Sequence, residues 1–122
     1  MAGAAVMVRL WTARIDYPGR DRFDVSRKSG ALVFAPSWAL LGPYLRKRKE
    51  GGLTDADWAA YVEAYTAEMR ASYTEHRATW KRLLAYQEAT LLCYCTDPAR
   101  CHRTVLAGIL GKLGADVRGE LS

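Results

Sequence analysis

Residues 89–110, ATLLCYCTDPARCHRTVLAGIL, decide the fold that the sequence predicts. Residues 89–95 are almost continuously apolar, which is typical of a strand buried on both faces of a sheet. Asp97-Pro98 interrupts this strand, and apolar residues then recur at helical spacing as far as a stop at Gly114. Residues 115–121 are predicted to form a short final strand. Strand, turn, helix and strand form a βαβ unit, so the sequence predicts an α/β domain with a mostly parallel sheet.

The N-terminal third of the chain is predicted to add one or two further strands. Residues 6–15 are rich in β-forming residues and partly alternate, so they are predicted as the first strand. Residues 16–30 contain Pro18, Gly19 and alternating charges and are predicted as a polar loop. Residues 31–35 are short and apolar, and they fit either a second strand or a buried turn.

Two helical segments are predicted between these strands and residue 89. Ser37 is a suitable N-cap for the first, which ends at the glycines that follow Glu50. Thr54 begins a capping signal for an aromatic-rich amphipathic helix of about thirty residues, with a break near residues 72–74. Its aromatic stripe is predicted to face the core, and His76 on that stripe to be packed or half-buried. These elements predict one domain over residues 1–122, a small three-layer Rossmann-like α/β fold.

The composition is that of a globular protein rather than a membrane protein or a disulfide scaffold. The chain has 122 residues, of which 50% are hydrophobic and 25% charged. No apolar run approaches the ~20 residues of a membrane span, and no basic leader precedes a small-residue cleavage site. We therefore expect a cytoplasmic protein with no membrane association, whose three cysteines are free thiols.

The net charge of +5 permits attraction to phosphates. The densest basic cluster, residues 46–49, is followed by Glu50 and two glycines. This pattern favours a solvated helix end, because cations stabilise a helix C-terminus, although contact with nucleic acid stays open.

All three cysteines and one of the two histidines lie within residues 93–103. The spacing argues against zinc, because Cys93 and Cys95 would point to opposite faces of a strand. Cys101 and His102 would point about 100° apart on a helix. A Cys95–Cys101 disulfide in a reducing compartment would be redox-sensing rather than structural. The cysteine–arginine spacing of a tyrosine-phosphatase loop is absent. No metal and no cofactor are therefore predicted.

Two functional interpretations of the start of the last helix stay open. The helix begins either at Pro98, capped by Asp97, or nearer Cys101. Independently of where the helix begins, one functional interpretation makes Cys101 a nucleophile that His102 assists, because a helix N-terminus lowers a thiol pKa. Cys95 is the second candidate for the nucleophile. In the other functional interpretation, the free N–H groups of the helix bind a phosphate together with arginine side chains. The predicted ligand-binding residues are Arg103, Arg100, Arg14, Thr104, Cys95 and Ser37.

LLCYCTDPARCHRTVLAGIL also resembles the strand–loop–helix signature of a bacterial and phage family known as domain of unknown function 488. By this resemblance the signature positions are Cys93, Cys101, His102 and Arg103, and Arg14 and Ser37 match looser, earlier positions. Many members carry an acidic residue where this chain has Cys95, which argues against a metal or general-base role there. The resemblance implies a compact Rossmann-like domain and no established reaction.

The preferred hypothesis is a strand-end anion pocket that binds a nucleotide, a nucleobase or a nucleic-acid phosphate. If the protein is an enzyme, Cys101 and His102 would hydrolyse this ligand or transfer a group on it. The alternative is a non-catalytic module that binds nucleic acid or protein through residues 46–49 and exposed aromatics. In a third hypothesis the aromatic helix is a dimer face. The sequence leaves monomer and homodimer open.

Overall fold

The fold is built around β3 (Glu88–Cys93), the strand that the sequence indicates most clearly. In the computed structural model, which describes residues 7–121, every residue of β3 after Glu88 is buried. The burial is complete because β3 pairs with β1 (Arg9–Arg14) on one side and with β2 (Arg22–Asp24) on the other. The strand β4 (Asp116–Glu120) pairs with the far side of β1. The sheet order is β2-β3-β1-β4, and all four described strands are parallel, as predicted.

The edge strand β2 lies inside the segment that the sequence predicted as a loop. It has only three residues, of which Phe23 alone is a strong β-former. Pairing with the central strand makes it a strand: Phe23 is in register with Leu91, and the Val25 amide donates to Leu92 O at 3.0 Å. Residues 31–35, for which the sequence left a strand or a buried turn open, form a turn in which Phe34 is completely buried.

Two strand boundaries also differ from the sequence-based expectation. Position 6 of the predicted first strand lies outside the described residues, and β1 begins at Arg9. β3 ends at Cys93 rather than at Cys95, because its ladder partner β1 ends at Arg14. The Ile15 amide makes the last bond to Cys93 O, at 3.0 Å, and the chain then leaves the sheet.

Four α-helices flank the sheet, and both predicted capping residues start the helices they were predicted to start. Ser37 Oγ accepts from the Leu40 amide, and Thr54 forms a reciprocal capping box with Asp57. The predicted break in the aromatic helix occurs at His76, which is exposed rather than packed. The helices are α1 (Trp38–Lys49), α2 (Asp55–Glu75), α3 (Arg77–Leu84) and α4 (His102–Lys112).

The aromatic stripe of α2 faces the core, as predicted. Tyr61, Tyr65 and Met69 are buried, and the Tyr65 hydroxyl donates to Phe34 O at 2.7 Å. Because these side chains are enclosed by the domain itself, they are not available as the dimer face of the third hypothesis. Over residues 7–121, no helix combines the length and apolar character that crossing a bilayer requires.

Candidate functional site

A cavity of about 930 Å³ opens at the carboxyl ends of β2 and β3. Its walls are the loop 26–30 that follows β2, the segment 93–95 that follows β3, the inner face of α1 and the start of α4. This edge is where open parallel sheets bind ligands, and the volume lies within the range typical of small-molecule sites. The predicted strand-end location of the pocket agrees with this cavity.

Four cationic side chains line the cavity, and we call them the basic rim: Arg27, Lys28, Arg48 and Arg100. None of the described residues that line the cavity is acidic. Arg100 forms an ion pair with Asp55, whereas Arg27, Lys28 and Arg48 pair with no carboxylate between residues 7 and 121. The cavity is therefore positively charged, and Arg100 is the only one of its four cations that a described carboxylate neutralises.

Aromatic rings support two of these cations. The Arg27 guanidinium lies 5.7 Å from the ring centre of Trp38, and Lys28 Nζ lies 5.1 Å from that of Tyr94. Trp38 is 56% exposed and Tyr94 41%, so each presents ring surface to the cavity as well. The cavity thus combines positive charge with exposed π-surface.

The loop that carries Arg27 and Lys28 is held in shape from below. Asp24, the last residue of β2, accepts a hydrogen bond from the Ser26 amide at 2.9 Å and another from Ser29 Oγ. The Gly30 amide donates to Ser26 O at 2.9 Å, and a Cβ at Gly30 would lie 2.3 Å from Asp24 O. Only glycine fits there, so the loop geometry is fixed by its sequence.

The floor of the cavity is a thiol cluster formed by Cys93, Cys95 and Cys101, with His102 beside it. The three Sγ atoms lie within 4.8 Å of one another, and Cys93 Sγ and Cys95 Sγ are 4.0 Å apart. Cys93 Sγ lies 3.7 Å from His102 Nδ1. The expectation that the Cys93 and Cys95 side chains diverge was therefore wrong.

The convergence has two local causes. The period-two alternation of a strand no longer applies to Cys95, because β3 ends at Cys93. Cys101 is not yet helical: it is the N-cap of α4, with an extended φ of −135° and ψ of 143°. Pro98–Arg100 form a separate 3₁₀ turn capped by Asp97, and α4 begins at His102. The alternative in which the helix begins near Cys101 was therefore right, and the capping role predicted for Asp97 belongs to the preceding 3₁₀ turn.

The thiols of the cluster differ in exposure and in protonation. Cys95 is half-buried, and its pKa is lowered by hydrogen bonds from Cys101, from Cys93 and from Arg48, whose Nη1 lies 3.9 Å from Cys95 Sγ. Cys101 is 1% exposed, and contacts with the other two sulfurs raise its pKa. The thiolate character of the cluster therefore concentrates on Cys95. Sequence reasoning had favoured Cys101.

His102 is fixed under the cavity in one tautomer. Its Nε2 lies 2.7 Å from Val25 O, a carbonyl that can only accept, so Nε2 carries the proton and Nδ1 faces Cys93. Burial lowers the pKa of the imidazole. Only 4% of the residue is exposed, so His102 is a buried neighbour of the thiols.

Arg103, the predicted anion ligand, lies beneath the cavity and does not line it. Its side chain is fully buried. Nε and Nη2 donate to the two carboxylate oxygens of Glu120 at 3.1 and 2.8 Å, and Nη1 donates to Cys95 O at 2.9 Å. This bidentate pair fastens α4 to β4 and supports the Cys95 backbone, so its guanidinium is already occupied by protein acceptors.

Of the other predicted ligand-binding residues, only Arg100 and Cys95 line the cavity. Arg14 is exposed at the end of β1, and Thr104 Oγ1 donates to Pro98 O at 2.6 Å, outside it. Ser37 caps α1 and binds Glu68 through its amide and hydroxyl groups. These three residues have structural or surface positions.

Sequence reasoning missed most of the basic rim. Residues 46–49 are exposed in the last turn of α1, as predicted, but sequence reasoning did not place Arg48 at the cavity. Arg48 follows Leu41 and Leu45 at intervals of seven and three residues and so continues their helix face. That spacing was a usable signal. Arg27 and Lys28 gave none, because their position depends on β2, which the sequence does not reveal.

A parallel sheet flanked by helices, with a cavity at its carboxyl edge, defines a small Rossmann-like α/β protein. Residues 3–114 match the family model DUF488-N3a, described as the active DUF488-N3 subclade. The chain therefore belongs to the DUF488 family, which confirms the resemblance based on its Cys-His-Arg segment. No curated protein and no solved structure gives a significant match.

Proposed function

We propose that the protein binds a nucleotide, or a nucleotide unit of a nucleic acid, in the cavity at the carboxyl edge of the sheet. The observation that carries the proposal is the basic rim, which brings four cations to one cavity without a lining carboxylate. Phosphate is the ligand group that best matches this charge. The proposal includes a cytoplasmic location for the protein.

Arg48 and Lys28 are the principal phosphate ligands in this proposal. Both lack a carboxylate partner within residues 7–121, so binding a phosphate would not require an ion pair to be broken. Arg100 would first have to leave Asp55. Arg103 keeps the framework intact beneath them and does not touch the ligand.

The exposed rings account for the base. Trp38 stands at the mouth of the cavity with more than half of its surface accessible. Stacking of a base on an aromatic side chain contributes about 1–3 kcal/mol and tolerates different bases. A ligand with both a phosphate and a flat ring uses the two kinds of surface that the cavity offers.

Tyr44 supplies a polar group deeper in the same wall. Its hydroxyl is buried and has no hydrogen-bond partner among residues 7–121. Leaving such a group without a partner costs about 1–3 kcal/mol, and a polar atom of the ligand would supply one.

A surface site for nucleic acid on residues 46–49 is less well supported. Lys47 Nζ pairs with Asp57 at 2.8 Å, and Arg48, although exposed, lines the cavity. With Lys47 in an ion pair and Arg48 at the cavity, only Arg46 and Lys49 of this run are left for a surface site.

The test is a titration series followed by calorimetry and by tryptophan fluorescence. We expect nucleoside monophosphates to bind at least about tenfold more tightly than the matching nucleosides or inorganic phosphate, because only they engage rim and rings together. Affinity should fall as salt rises. Equal, salt-independent binding of nucleoside and nucleotide, or no binding of either at millimolar concentration, would refute the proposal.

A further inference from the structure

We propose that Cys93, Cys95 and Cys101 bind a zinc ion through their thiolates, with His102 Nδ1 as the fourth ligand. This site would form the floor of the cavity, next to Arg48, and zinc binding does not require a nucleotide to be bound. Zinc sites with three cysteines and one histidine are tetrahedral. On binding, the ion replaces the thiol protons, which pass to solvent.

The separations of the three sulfur atoms are close to those that the ion requires. With Zn–S bonds of about 2.3 Å, tetrahedral geometry places neighbouring donors about 3.5–3.8 Å apart. Cys93 Sγ already lies 4.0 Å from Cys95 Sγ and 3.7 Å from His102 Nδ1. Cys101 Sγ lies within 4.8 Å of both other sulfurs, so a small inward shift of the Cys101 side chain would complete the sulfur set. His102 Nδ1 lies near Cys93 but not within 4.8 Å of all three sulfurs, so it would have to move towards Cys95 and Cys101.

The orientation of His102 is that of a metal ligand. Histidines that bind a metal usually donate their other ring N–H to a carbonyl or carboxylate, which fixes the tautomer. His102 Nε2 donates to Val25 O at 2.7 Å, so the Nδ1 lone pair faces the sulfurs. In the metal-free protein the same lone pair can accept a hydrogen bond from the Cys93 thiol, which zinc would replace.

The surrounding charges also suit the metal-bound state. Three thiolates and one divalent ion carry a net charge of −1. Arg103 Nη1 donates to Cys101 Sγ at 3.4 Å, and Arg48 Nη1 donates to Cys95 Sγ at 3.9 Å. Both guanidinium groups would stabilise the thiolates from outside the coordination shell.

The ligand chemistry selects a thiophilic ion. Sulfur and imidazole ligands favour Zn²⁺ over Mg²⁺ or Ca²⁺, which prefer oxygen. The position of the site differs from that of an isolated structural zinc finger, because Cys95 is half-exposed in a cavity that small molecules can enter.

The test uses the full-length protein without an affinity tag, kept reduced and purified from zinc-supplemented cells. We expect close to one zinc per chain by elemental mass spectrometry. Replacement by Co²⁺ should give the thiolate-to-cobalt charge-transfer band and the strong visible bands of a tetrahedral site. Cys95→Ser, Cys101→Ser and His102→Ala should each weaken zinc binding more than about 100-fold, since even supporting contacts cost 10- to 100-fold.

His76→Ala is the matched control, because it removes the other histidine of the chain and should leave the metal content unchanged. Cys95→Ser is the variant expected to fold best, since Cys95 lies in the cavity wall; circular dichroism checks this. A reduced wild-type protein that takes up neither Zn²⁺ nor Co²⁺ would overturn the proposal. Full zinc retention in folded Cys95→Ser would overturn it as well.

Discussion

Two arginines contact the thiol cluster, and they do different work. Arg103 contacts it from below, is fully buried and has carboxylate and carbonyl oxygens as partners. Arg48 contacts it from above, on the cavity side, and has no carboxylate partner within residues 7–121. Arginine thus serves as framework at position 103, where carboxylate and carbonyl oxygens are its partners, and at position 48 no carboxylate occupies it, which is why we propose it as a phosphate ligand.

The difference extends to the elements that carry them. Arg103 belongs to the Cys-His-Arg segment, on which the sequence-based resemblance to the family rests. Arg48 belongs to a basic run that resembles many helix ends. We therefore base the assignment of structural and proposed binding cations on burial and partners rather than on motif strength, and the following variants test that assignment.

Loss of the framework ion pair should have the largest effect. Glu120→Gln leaves the buried Arg103 charge without its carboxylate, and we expect it to lower the free energy of unfolding by about 3 kcal/mol. Urea denaturation followed by circular dichroism measures this. Arg9 pairs with Glu88 on the surface, so Glu88→Gln is the control and should cost less than about 1 kcal/mol. Equal costs would show that the Arg103 pair is not a framework contact.

The same pair should make stability depend on pH in the acid range. Burial raises the pKa of Glu120, but hydrogen bonds from Arg103 and Thr12 outweigh this and lower it below its usual value. Its contribution is therefore present above the unfolded-state pKa near 4.5 and is lost as pH falls through the lower folded-state pKa. The stability gap between wild type and Glu120→Gln should shrink over that window. A gap that stays constant down to pH 2 would contradict the assignment.

On the cavity side, Trp38→Ala should weaken nucleotide binding about tenfold, because stacking contributes about 1–3 kcal/mol. Its effect on the free energy of unfolding should be small, since the ring is 56% exposed. Isothermal titration calorimetry is the appropriate measurement, because the variant removes the Trp38 ring whose fluorescence would report binding. Trp11, on β1, serves as the comparison: Trp11→Phe should leave affinity unchanged.

Tyr44→Phe should have the smallest effect. It should not lower the stability of the ligand-free protein, but it should weaken ligand binding. Without ligand, removing a buried hydroxyl that has no partner in the described chain should leave stability unchanged or raise it by about 1 kcal/mol. With ligand, affinity should fall a few-fold. Thermal unfolding with and without a nucleoside monophosphate measures both. A variant that is destabilised without ligand would show that the hydroxyl has a structural partner.

The main features of the fold could be predicted from the sequence because they depend on local patterns. Continuous apolarity gave β3, the capping residues Ser37 and Thr54 gave two helix starts, and period 3.6 gave the core face of α2. The strand β2 could not be predicted, because its three residues are ordered by pairing with β3 rather than by their own preferences.

The candidate site was predicted in place but not in detail. The carboxyl edge of the sheet and the positions of Cys95 and Arg100 followed from topology. The convergence of the thiols did not, because it depends on where β3 ends and on the extended backbone of Cys101. The burial of Arg103 did not either, since Glu120 is distant in sequence and meets it only through the pairing of β4.

The most direct test of the central claim compares two variants of equal charge. Arg48→Ala/Lys28→Ala removes two cations of the basic rim. Arg46→Ala/Lys49→Ala removes two cations of the run 46–49 that do not line the cavity. We predict that the Kd for a nucleoside monophosphate rises at least about 30-fold in the first variant, because two charge-assisted hydrogen bonds are lost, and less than about threefold in the second. Equal weakening in both variants would mean that net charge, and not the basic rim, holds the phosphate.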